Sequence, residues 1–178
     1  MKLERFGDVT LVRPDPQALW SPRLGPREWE AAHLVFERES DRGGSFHPSP
    51  NAPAHARGKG AQWECAHGAA TFLIRPTAFK HVGLFPEQAT NWNLVQEAAG
   101  SLRNGKNEPP RLLNLFGYSG AASILAAQAG YAVTHVDASK QAIAWTRDNL
   151  AASSMADDSL RLLCDDALAF VRREGRRG

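Results

Sequence analysis

Residues 111–120, Arg-Leu-Leu-Asn-Leu-Phe-Gly-Tyr-Ser-Gly, decide the fold of this 178-residue chain. The short apolar run at 111–116 is typical of a strand that is covered on both faces of a sheet. Gly117 and Gly120 follow it, and the alanine-rich stretch 121–129 after them predicts a helix that Gly130 can end. A strand that turns through glycines into a helix begins a βαβ unit, so this stretch predicts a parallel sheet.

The alternation of strand and helix continues to the end of the chain. Residues 131–136 and 160–164 predict a second and a third strand. A helix that Ser139 or Asp137 can cap runs between them to about residue 150, with Ile143, Thr146 and Leu150 facing inward. Residues 166–173 predict a further helix.

Three strands are too few for a doubly wound sheet, which needs about five to seven. The missing strands come either from the N-terminal part of the chain or, as we favour, from a longer protein. Before the first strand, one apolar face predicts a helix over residues 87–102, and residues 104–110 form a hydrophilic connector.

Residues 1–75 predict a small, mostly β module with few helical patterns. Its predicted elements are a strand at 8–13, one short helix within 26–39, an exposed loop at 40–60, and a hairpin of strands at 62–67 and 71–75. The chain thus divides into this module and residues 76–178, which carry the first three parallel strands of an α/β domain of Rossmann-like architecture.

Composition excludes several classes of protein. The chain is 43% hydrophobic and 22% charged, which is enough for a packed core, and a net charge of +2 does not by itself indicate nucleic acid. Two cysteines, Cys65 and Cys164, cannot form a disulfide framework, and the histidines lack the spacing of a metal site. No apolar run approaches the ~18 residues of a membrane span. We therefore expect a cytoplasmic protein without a metal or a membrane partner.

The residues that can carry chemistry follow the three predicted strands in order. Gly117 and Gly120 allow the backbone to approach a ligand, and the helix after them offers unpaired N–H groups to an anion. Asp137, 20 residues after Gly117, can accept hydrogen bonds from both hydroxyls of a ribose. Asp165 or Asp166 can accept from the amine of an adenine. A dinucleotide site wants a third glycine, which is missing here, so the turn favours S-adenosylmethionine.

These motifs resemble class I S-adenosylmethionine-dependent methyltransferases, and within them the bacterial branch of large-subunit ribosomal RNA cytosine-5 methyltransferases. The resemblance extends from about residue 72 to 177 and includes the run Arg-Pro-Thr-Ala-Phe-Lys-His-Val-Gly-Leu-Phe-Pro-Glu-Gln at 75–88. It implies S-adenosyl-L-methionine as cofactor and RNA, in particular ribosomal RNA, as substrate. The cofactor-binding residues that it implies are Phe116, Gly117, Tyr118, Gly120, Asp137, Ala138, Asp165, Asp166, Ala167 and Gln88.

The chain also departs from this family. Such enzymes continue into a fourth strand that ends in Asp-Pro-Pro or Asn-Pro-Pro beside the target base, and no such motif follows residue 173. We therefore expect a C-terminally truncated chain, the cofactor-binding half of a methyltransferase, inactive alone and without a catalytic residue. A truncated non-catalytic remnant that binds a partner is the first alternative, and an NAD-dependent oxidoreductase is the second.

Several of these residues also have a purely structural interpretation. Asp137, Asp165 and Asp166 can act as helix caps, a role that is compatible with binding a ligand. Cys164 lies in an apolar strand, so we interpret it as a buried structural cysteine and not as a nucleophile. Four arginines among the last seven residues fit the C-terminus of a helix better than an RNA-binding patch.

Overall fold

The computed structural model describes residues 1–103 and 107–177. Its internal contacts divide the chain into two compact units. Unit 1 contains Met1–Ala66 and Leu73–Gly83, and unit 2 contains His67–Phe72 and Leu84–Gly178. The division into folding domains at residue 75 stays a prediction.

Unit 1 is built on a four-stranded sheet. The strands β1 (Lys2–Phe6), β2 (Val9–Arg13), β3 (Leu34–Ser40) and β4 (Gly43–Pro48) lie side by side in that order, with only β2 and β3 parallel. Val9, Leu11 and Leu34 are fully buried and form its core. Unit 1 also contains the helix α1 (Pro26–Glu30) and a 3₁₀ turn at Ala54–Ala56. The strands β5 (Trp63–His67) and β6 (Ala70–Ile74), whose residues are divided between the two units, form the predicted hairpin.

The helix predicted within residues 26–39 is wrong for most of that range. Only Pro26–Glu30 are helical, and the chain enters β3 at Leu34. β3 pairs with β2 through Leu11–Leu34 and Val12–Val35, and this pairing buries Leu34 and Phe36 on one face of the sheet. Residues in this range that can face inward recur at intervals of three and four, which is compatible with a helix. Pairing with a distant strand outweighs such a local pattern.

The exposed loop predicted at residues 40–60 is wrong in its first part. Gly43–Pro48 form β4, which pairs with β3 so that the rings of Phe36 and Phe46 lie 5.1 Å apart. A Cβ at Gly44 would collide with the carbonyl oxygen of Glu37. Glycine here permits a close approach of two strands, which sequence composition alone does not distinguish from a loop.

Unit 2 contains the predicted parallel sheet. The strands β7 (Arg111–Leu115), β8 (Ala132–Asp137) and β9 (Leu160–Cys164) lie in that order, and both pairs are parallel. The helices are α2 (Ala89–Arg103), α3 (Ala121–Gln128), α4 (Lys140–Ala152) and α5 (Ala167–Glu174), with 3₁₀ turns at Pro86–Gln88 and Asp157–Ser159. The predicted elements agree with these bounds within two residues, which confirms the α/β fold class. Residues 104–106 of the predicted connector lie outside the described residues.

The three parallel strands form a sheet of their own. In the part of the chain that the structure describes, the strands of unit 1 belong to other sheets, so the N-terminal module does not supply further strands to this parallel sheet. The core of unit 2 contains Ile124 of α3, Val136 of β8 and Leu150 of α4, each fully buried. Because the strands are parallel, their carboxyl ends meet at one edge, where the candidate residues lie.

Candidate functional site

Asp137 connects the three strand ends. Its Oδ2 accepts a hydrogen bond of 2.8 Å from the amide of Tyr118, in the turn after β7. Its Oδ1 accepts one of 2.8 Å from the amide of Ser139, and its carbonyl oxygen accepts one of 3.1 Å from the amide of Asp165, after β9. The N-cap of α4 is Ser139, so Asp137 caps the turn between strand and helix and not the helix itself. The structure therefore brings the turn, Asp137 and Asp165 together, as the sequence predicted.

The two glycines of the turn are required because buried side chains lie directly against them. A Cβ at Gly117 would lie 2.5 Å from Nδ1 and 2.9 Å from Nε2 of His135, and a Cβ at Gly120 would lie 2.5 Å from Cγ2 of Thr146. Gly120 also has a φ of 86°, in the left-handed region. The turn after β7 thus lies directly on β8 and α4. This gives the glycines a physical reason that differs from the close approach to a ligand inferred from the sequence.

The backbone of the turn carries strain. Phe116 and Tyr118 have φ values of 56° and 51°, which side chains larger than glycine adopt at a cost of about 1 kcal/mol or more each. The Tyr118 ring packs between Phe85 and Trp145, with ring centroids 5.4 and 5.7 Å away, whereas Phe116 is 73% exposed. Strain of this kind persists only where the surroundings hold it, and it concentrates at binding sites.

A buried hydrogen-bonded chain lies beneath the turn. Asn114 Nδ2 donates to Ser123 Oγ, and Ser123 Oγ lies 2.9 Å from Nδ1 of His135, which is fully buried. Nε2 of His135 has no hydrogen-bond partner in the described structure. Burial lowers the pKa of His135 below its usual range, although the negative charge of Asp137 acts in the opposite direction. The ring is therefore neutral at pH 7 and is packed against Gly117.

Two further polar residues hold the turn from α4. Thr146 Oγ1 lies 2.9 Å from the carbonyl oxygen of Tyr118 and 3.0 Å from that of Ala142 in its own helix, and its one proton is shared between them. Asn149 Nδ2 donates to the carbonyl oxygen of Ser119 (2.8 Å). The sequence placed Thr146 on the inward face but gave it no role, and it did not single out Asn149 or His135. A polar residue at an inward position of an amphipathic helix is the signal that could have identified Thr146 and Asn149.

The start of α3 provides a place for an anion. Its N-cap, Gly120, has no side chain to accept hydrogen bonds from the first-turn amides. Such amides lie at the positive end of the helix dipole and bind carboxylates or phosphates. This end of the helix follows directly on the strained turn.

The end of β9 presents two carboxylates, each with one oxygen in use. Asp165 Oδ2 accepts a hydrogen bond of 2.7 Å from Nη2 of Arg173, and Asp166 Oδ1 accepts one of 2.8 Å from the amide of Ala169 as N-cap of α5. Ala167 is buried and Ala138 is exposed. The interpretation of Cys164 as buried is wrong: this residue is exposed, because it occupies the end of a strand at the edge of the sheet.

Gln88 is less closely connected with these residues than the others. It lies in the 3₁₀ turn before α2, and its Oε1 accepts a hydrogen bond from Asn91 of that helix. Phe85, three residues earlier, makes the ring contact with Tyr118. Among the described residues, no helix is long and apolar enough to cross a membrane, and no His, Cys, Asp and Glu side chains cluster as metal ligands.

Comparison with known proteins connects this arrangement to methyltransferases. No family model matches the chain. A ribosomal RNA large subunit methyltransferase K/L from Syntrophotalea carbinolica is 31% identical over 116 residues, 65% of this chain and 15% of that protein. One from Shewanella baltica is 33% identical over 104 residues, 58% of this chain and 14% of that protein. The chain thus spans about one seventh of the length of these curated relatives.

A solved structure matches almost all of the chain. The crystal structure of the SAM-dependent methyltransferase from Agrobacterium tumefaciens has a TM-score of 0.85 and 41% identity, and the match covers 99% of this chain and 53% of that one. The resemblance to S-adenosylmethionine-dependent methyltransferases is confirmed by these sequence and structural matches, and this chain has their fold.

Proposed function

We propose that this chain is the donor-binding half of an S-adenosylmethionine-dependent methyltransferase that modifies a base of large-subunit ribosomal RNA. The observation that carries the proposal is the position of Asp137, whose hydrogen bonds join the turn after β7 to the end of β9. Three consecutive strand ends therefore offer groups for the tail, the ribose and the base of one adenosine compound. The length of the Agrobacterium relative, about twice that of this chain, supports the assignment to one half.

The donor set fits S-adenosylmethionine. Each oxygen of Asp137 accepts one backbone N–H, and a carboxylate oxygen has two lone pairs, so both oxygens retain capacity for ribose hydroxyls. The start of α3 presents first-turn backbone amides to the carboxylate of the methionine end. When bound, S-adenosylmethionine supplies the methyl group of its sulfonium to the acceptor.

The adenine is assigned to the segment after β9. Asp165, Asp166 and Ala167 lie there beside Ala138, and a carboxylate or carbonyl oxygen can accept from the adenine amine. The exposed Phe116 and the ring of Tyr118 are candidates for an apolar wall beside the methyl group. Gln88 remains a candidate contact. The role of the chain's residues is to hold the donor in a reactive orientation, which contributes to catalysis by positioning.

The acceptor is proposed from the relatives. Those from Syntrophotalea and Shewanella are named for the large-subunit ribosomal RNA, and their names do not specify the base or atom. A cytoplasmic location stays a prediction. Radiolabelled methyl transfer to large-subunit ribosomal RNA, by the full-length gene product, is the test of the acceptor, with small-subunit RNA as control.

Calorimetric titration with S-adenosylhomocysteine tests the donor site in this chain. We expect binding, no binding of NAD, and affinity at least about tenfold lower for Asp137→Ala, since about two hydrogen bonds to the ribose are lost. Glu97→Ala, a change of an exposed carboxylate on α2, is the matched control and should bind as the wild type does. Binding of NAD in place of S-adenosylhomocysteine would favour the oxidoreductase, and unchanged affinity of Asp137→Ala would refute the ribose assignment.

A further inference from the structure

Thr146 and Asn149 are unusual for the inward face of a helix. Both are polar, both are fully buried, and they lie one turn apart on α4. Burying such groups costs free energy unless they form hydrogen bonds, and apolar residues fill this position in most helices. Asn149 donates to the carbonyl oxygen of Ser119 in the turn after β7, and the Thr146 hydroxyl shares its one proton between the carbonyl oxygens of Tyr118 in that turn and of Ala142 in α4.

These two contacts determine the direction in which the peptide groups of the turn point. The structure contains no cis peptide bonds among the described residues, and in a trans peptide the C=O and the following N–H point in opposite directions. Since the carbonyl of Tyr118 points towards α4, the N–H of Ser119 points away from α4. The carbonyl of Ser119 likewise turns the N–H of Gly120 away from α4, where it bonds to the carbonyl oxygen of Gly117 (3.0 Å) and closes the turn.

The side chain of Thr146 on the same helix also packs directly against the backbone of the turn. Cγ2 of Thr146 lies only 2.5 Å from the position that a Cβ at Gly120 would take, and the Oγ1 of the same residue contacts the carbonyl oxygen of Tyr118. Tyr118 has a φ of 51°, so its conformation requires support from its surroundings. Thr146 thus acts through both its methyl and its hydroxyl group, on residues at either side of Ser119.

We propose that Thr146 and Asn149 are positioning residues of the methyl-donor site, which hold the turn at residues 118–120 and so place the start of α3 for the amino-acid end of the donor. This inference rests on the proposed function. Neither side chain contacts the donor in this proposal, because both are buried beneath the turn. Their effect is therefore confined to the part of the ligand that the turn holds, and the adenosine part should be insensitive to them.

Two ligands separate these parts. S-adenosylhomocysteine carries the amino-acid tail, and 5′-methylthioadenosine lacks it but keeps the ribose and adenine. We expect Thr146→Val, which removes the hydroxyl but keeps the shape, to weaken S-adenosylhomocysteine binding about tenfold, because the carbonyl of Tyr118 loses its partner. Its affinity for 5′-methylthioadenosine should stay within about twofold of the wild type, since Asp137 and the end of β9 are unchanged.

Matched variants distinguish positioning from general stability. Thr146→Ser keeps the hydroxyl and should restore S-adenosylhomocysteine affinity to within about threefold of the wild type. Ile143→Val removes a buried methyl group from the same helix and no hydrogen-bonding group, and it should leave both affinities unchanged. Asn149→Ala tests the second carbonyl independently and should show the same selective loss, so the proposal stays testable if Thr146→Val fails to fold.

The possible outcomes test the proposed function and the positioning role of Thr146 and Asn149 separately. If the folded wild-type chain binds neither ligand, the proposed function is wrong. If it binds both and Thr146→Val or Asn149→Ala weakens both ligands equally, or neither ligand, the positioning role is overturned and the function stands. A selective loss for the ligand with the tail, with recovery in Thr146→Ser, supports the positioning role.

Discussion

The two units differ in how they bury polar side chains. In unit 1, the buried polar or charged residue among those described is Arg13, whose guanidinium forms two hydrogen bonds with the carboxylate of Glu4. In unit 2 there are five, and all lie in or directly beneath the turn after β7: Ser119, Ser123, His135, Thr146 and Asn149. The buried guanidinium of unit 1 is thus held by Glu4 and by the carbonyl oxygen of Lys80, whereas unit 2 buries a network around one loop.

This difference indicates for what purpose each unit buries polar groups at a cost in stability. Buried polar groups are costly, and a packed core of apolar residues would serve a purely structural role as well. In unit 2 the network supports two strained residues, Phe116 and Tyr118, and leaves Nε2 of His135 without a partner. A cost of this kind is expected where a loop must keep one shape for a ligand. If the network serves binding and the ion pair serves only folding, substitutions in unit 2 should lower affinity and substitutions of the ion pair should lower stability alone.

Gly117→Ala should have the largest effect on the affinity for the donor. The added Cβ would lie 2.5 Å from Nδ1 of His135, and the ring is held by Ser123, so the turn itself must move. Overpacking of this kind costs about 1–3 kcal/mol. We expect S-adenosylhomocysteine affinity to fall about thirtyfold, the equivalent of about 2 kcal/mol, as measured by calorimetry.

Two further variants control for this change. Gly100→Ala lies in α2, where a Cβ would meet no atom within 4 Å, and it should stabilise the helix by about 0.5–1 kcal/mol without changing affinity. Adding His135→Ala to Gly117→Ala provides the missing space and should recover part of the lost affinity. If Gly117→Ala binds normally, the turn does not depend on its distance from His135.

Arg13→Leu tests the other side of the comparison. It leaves the carboxylate of Glu4, whose side chain is only 10% exposed, with Lys2 at 3.4 Å as its remaining cation. Leaving one charge of a buried pair uncompensated costs about 3 kcal/mol, which urea unfolding would show. Affinity for S-adenosylhomocysteine should stay within about twofold at temperatures where the variant is folded.

The double variant Glu4→Leu/Arg13→Leu sharpens this result. Removing both charges avoids the stranded carboxylate, so it should be more stable than Arg13→Leu alone. A parallel loss of stability and donor affinity in Arg13→Leu would show that the ion pair of unit 1 also supports the site, and the contrast between the units would fail.

The same contrast explains which parts of the fold the sequence could predict. The strands and helices of unit 2 follow each other closely, and Gly117, Gly120 and Gly130 mark their ends, so local patterns were sufficient. In unit 1, β3 depends on pairing with β2, and the sequence between them contains helix-like spacing. The partner of β4 makes Gly44 a close contact and not a loop residue. Such pairings are not visible in local periodicity.

The site was predictable to a similar extent. Asp137 and Asp165 could be placed because the ends of parallel strands meet at one edge. The roles of His135 and Asn149 depend on which way the peptide groups of the turn face, and that orientation is fixed only by the three-dimensional packing. The exposure of Cys164 likewise follows from the position of β9 at the edge of the sheet.

A smaller effect is expected from acid pH through His135. Because burial lowers its folded-state pKa, the unfolded ring takes up a proton below about pH 6.5 while the folded ring does not. Its contribution to stability is therefore full above pH 6.5 and is lost as the pH falls towards the lower folded pKa. Between pH 7.5 and 5.5 the free energy of unfolding of the wild type should fall more than that of His135→Gln, as urea unfolding at the two pH values would show. The other five histidines are common to both proteins, so equal losses would contradict a neutral buried ring.

Arg173→Gln should have the smallest effect and also the most specific. Its ion pair with Asp165 is partly exposed, so the melting temperature should change by no more than about two degrees. If Asp165 recognises the adenine, loss of this partner frees its carboxylate to rotate, and affinity for 5′-methylthioadenosine should fall about threefold.

Arg172→Gln, an exposed neighbour on α5 that carries the same change of charge, is the control and should have no effect. A threefold loss in Arg173→Gln alone assigns the adenine to Asp165. No loss in either variant transfers that role to Asp166 and Ala167, whose positions depend on the N-cap of α5 and not on the arginine. Equal losses in both variants indicate a general effect of substitutions on α5, and neither aspartate is then distinguished.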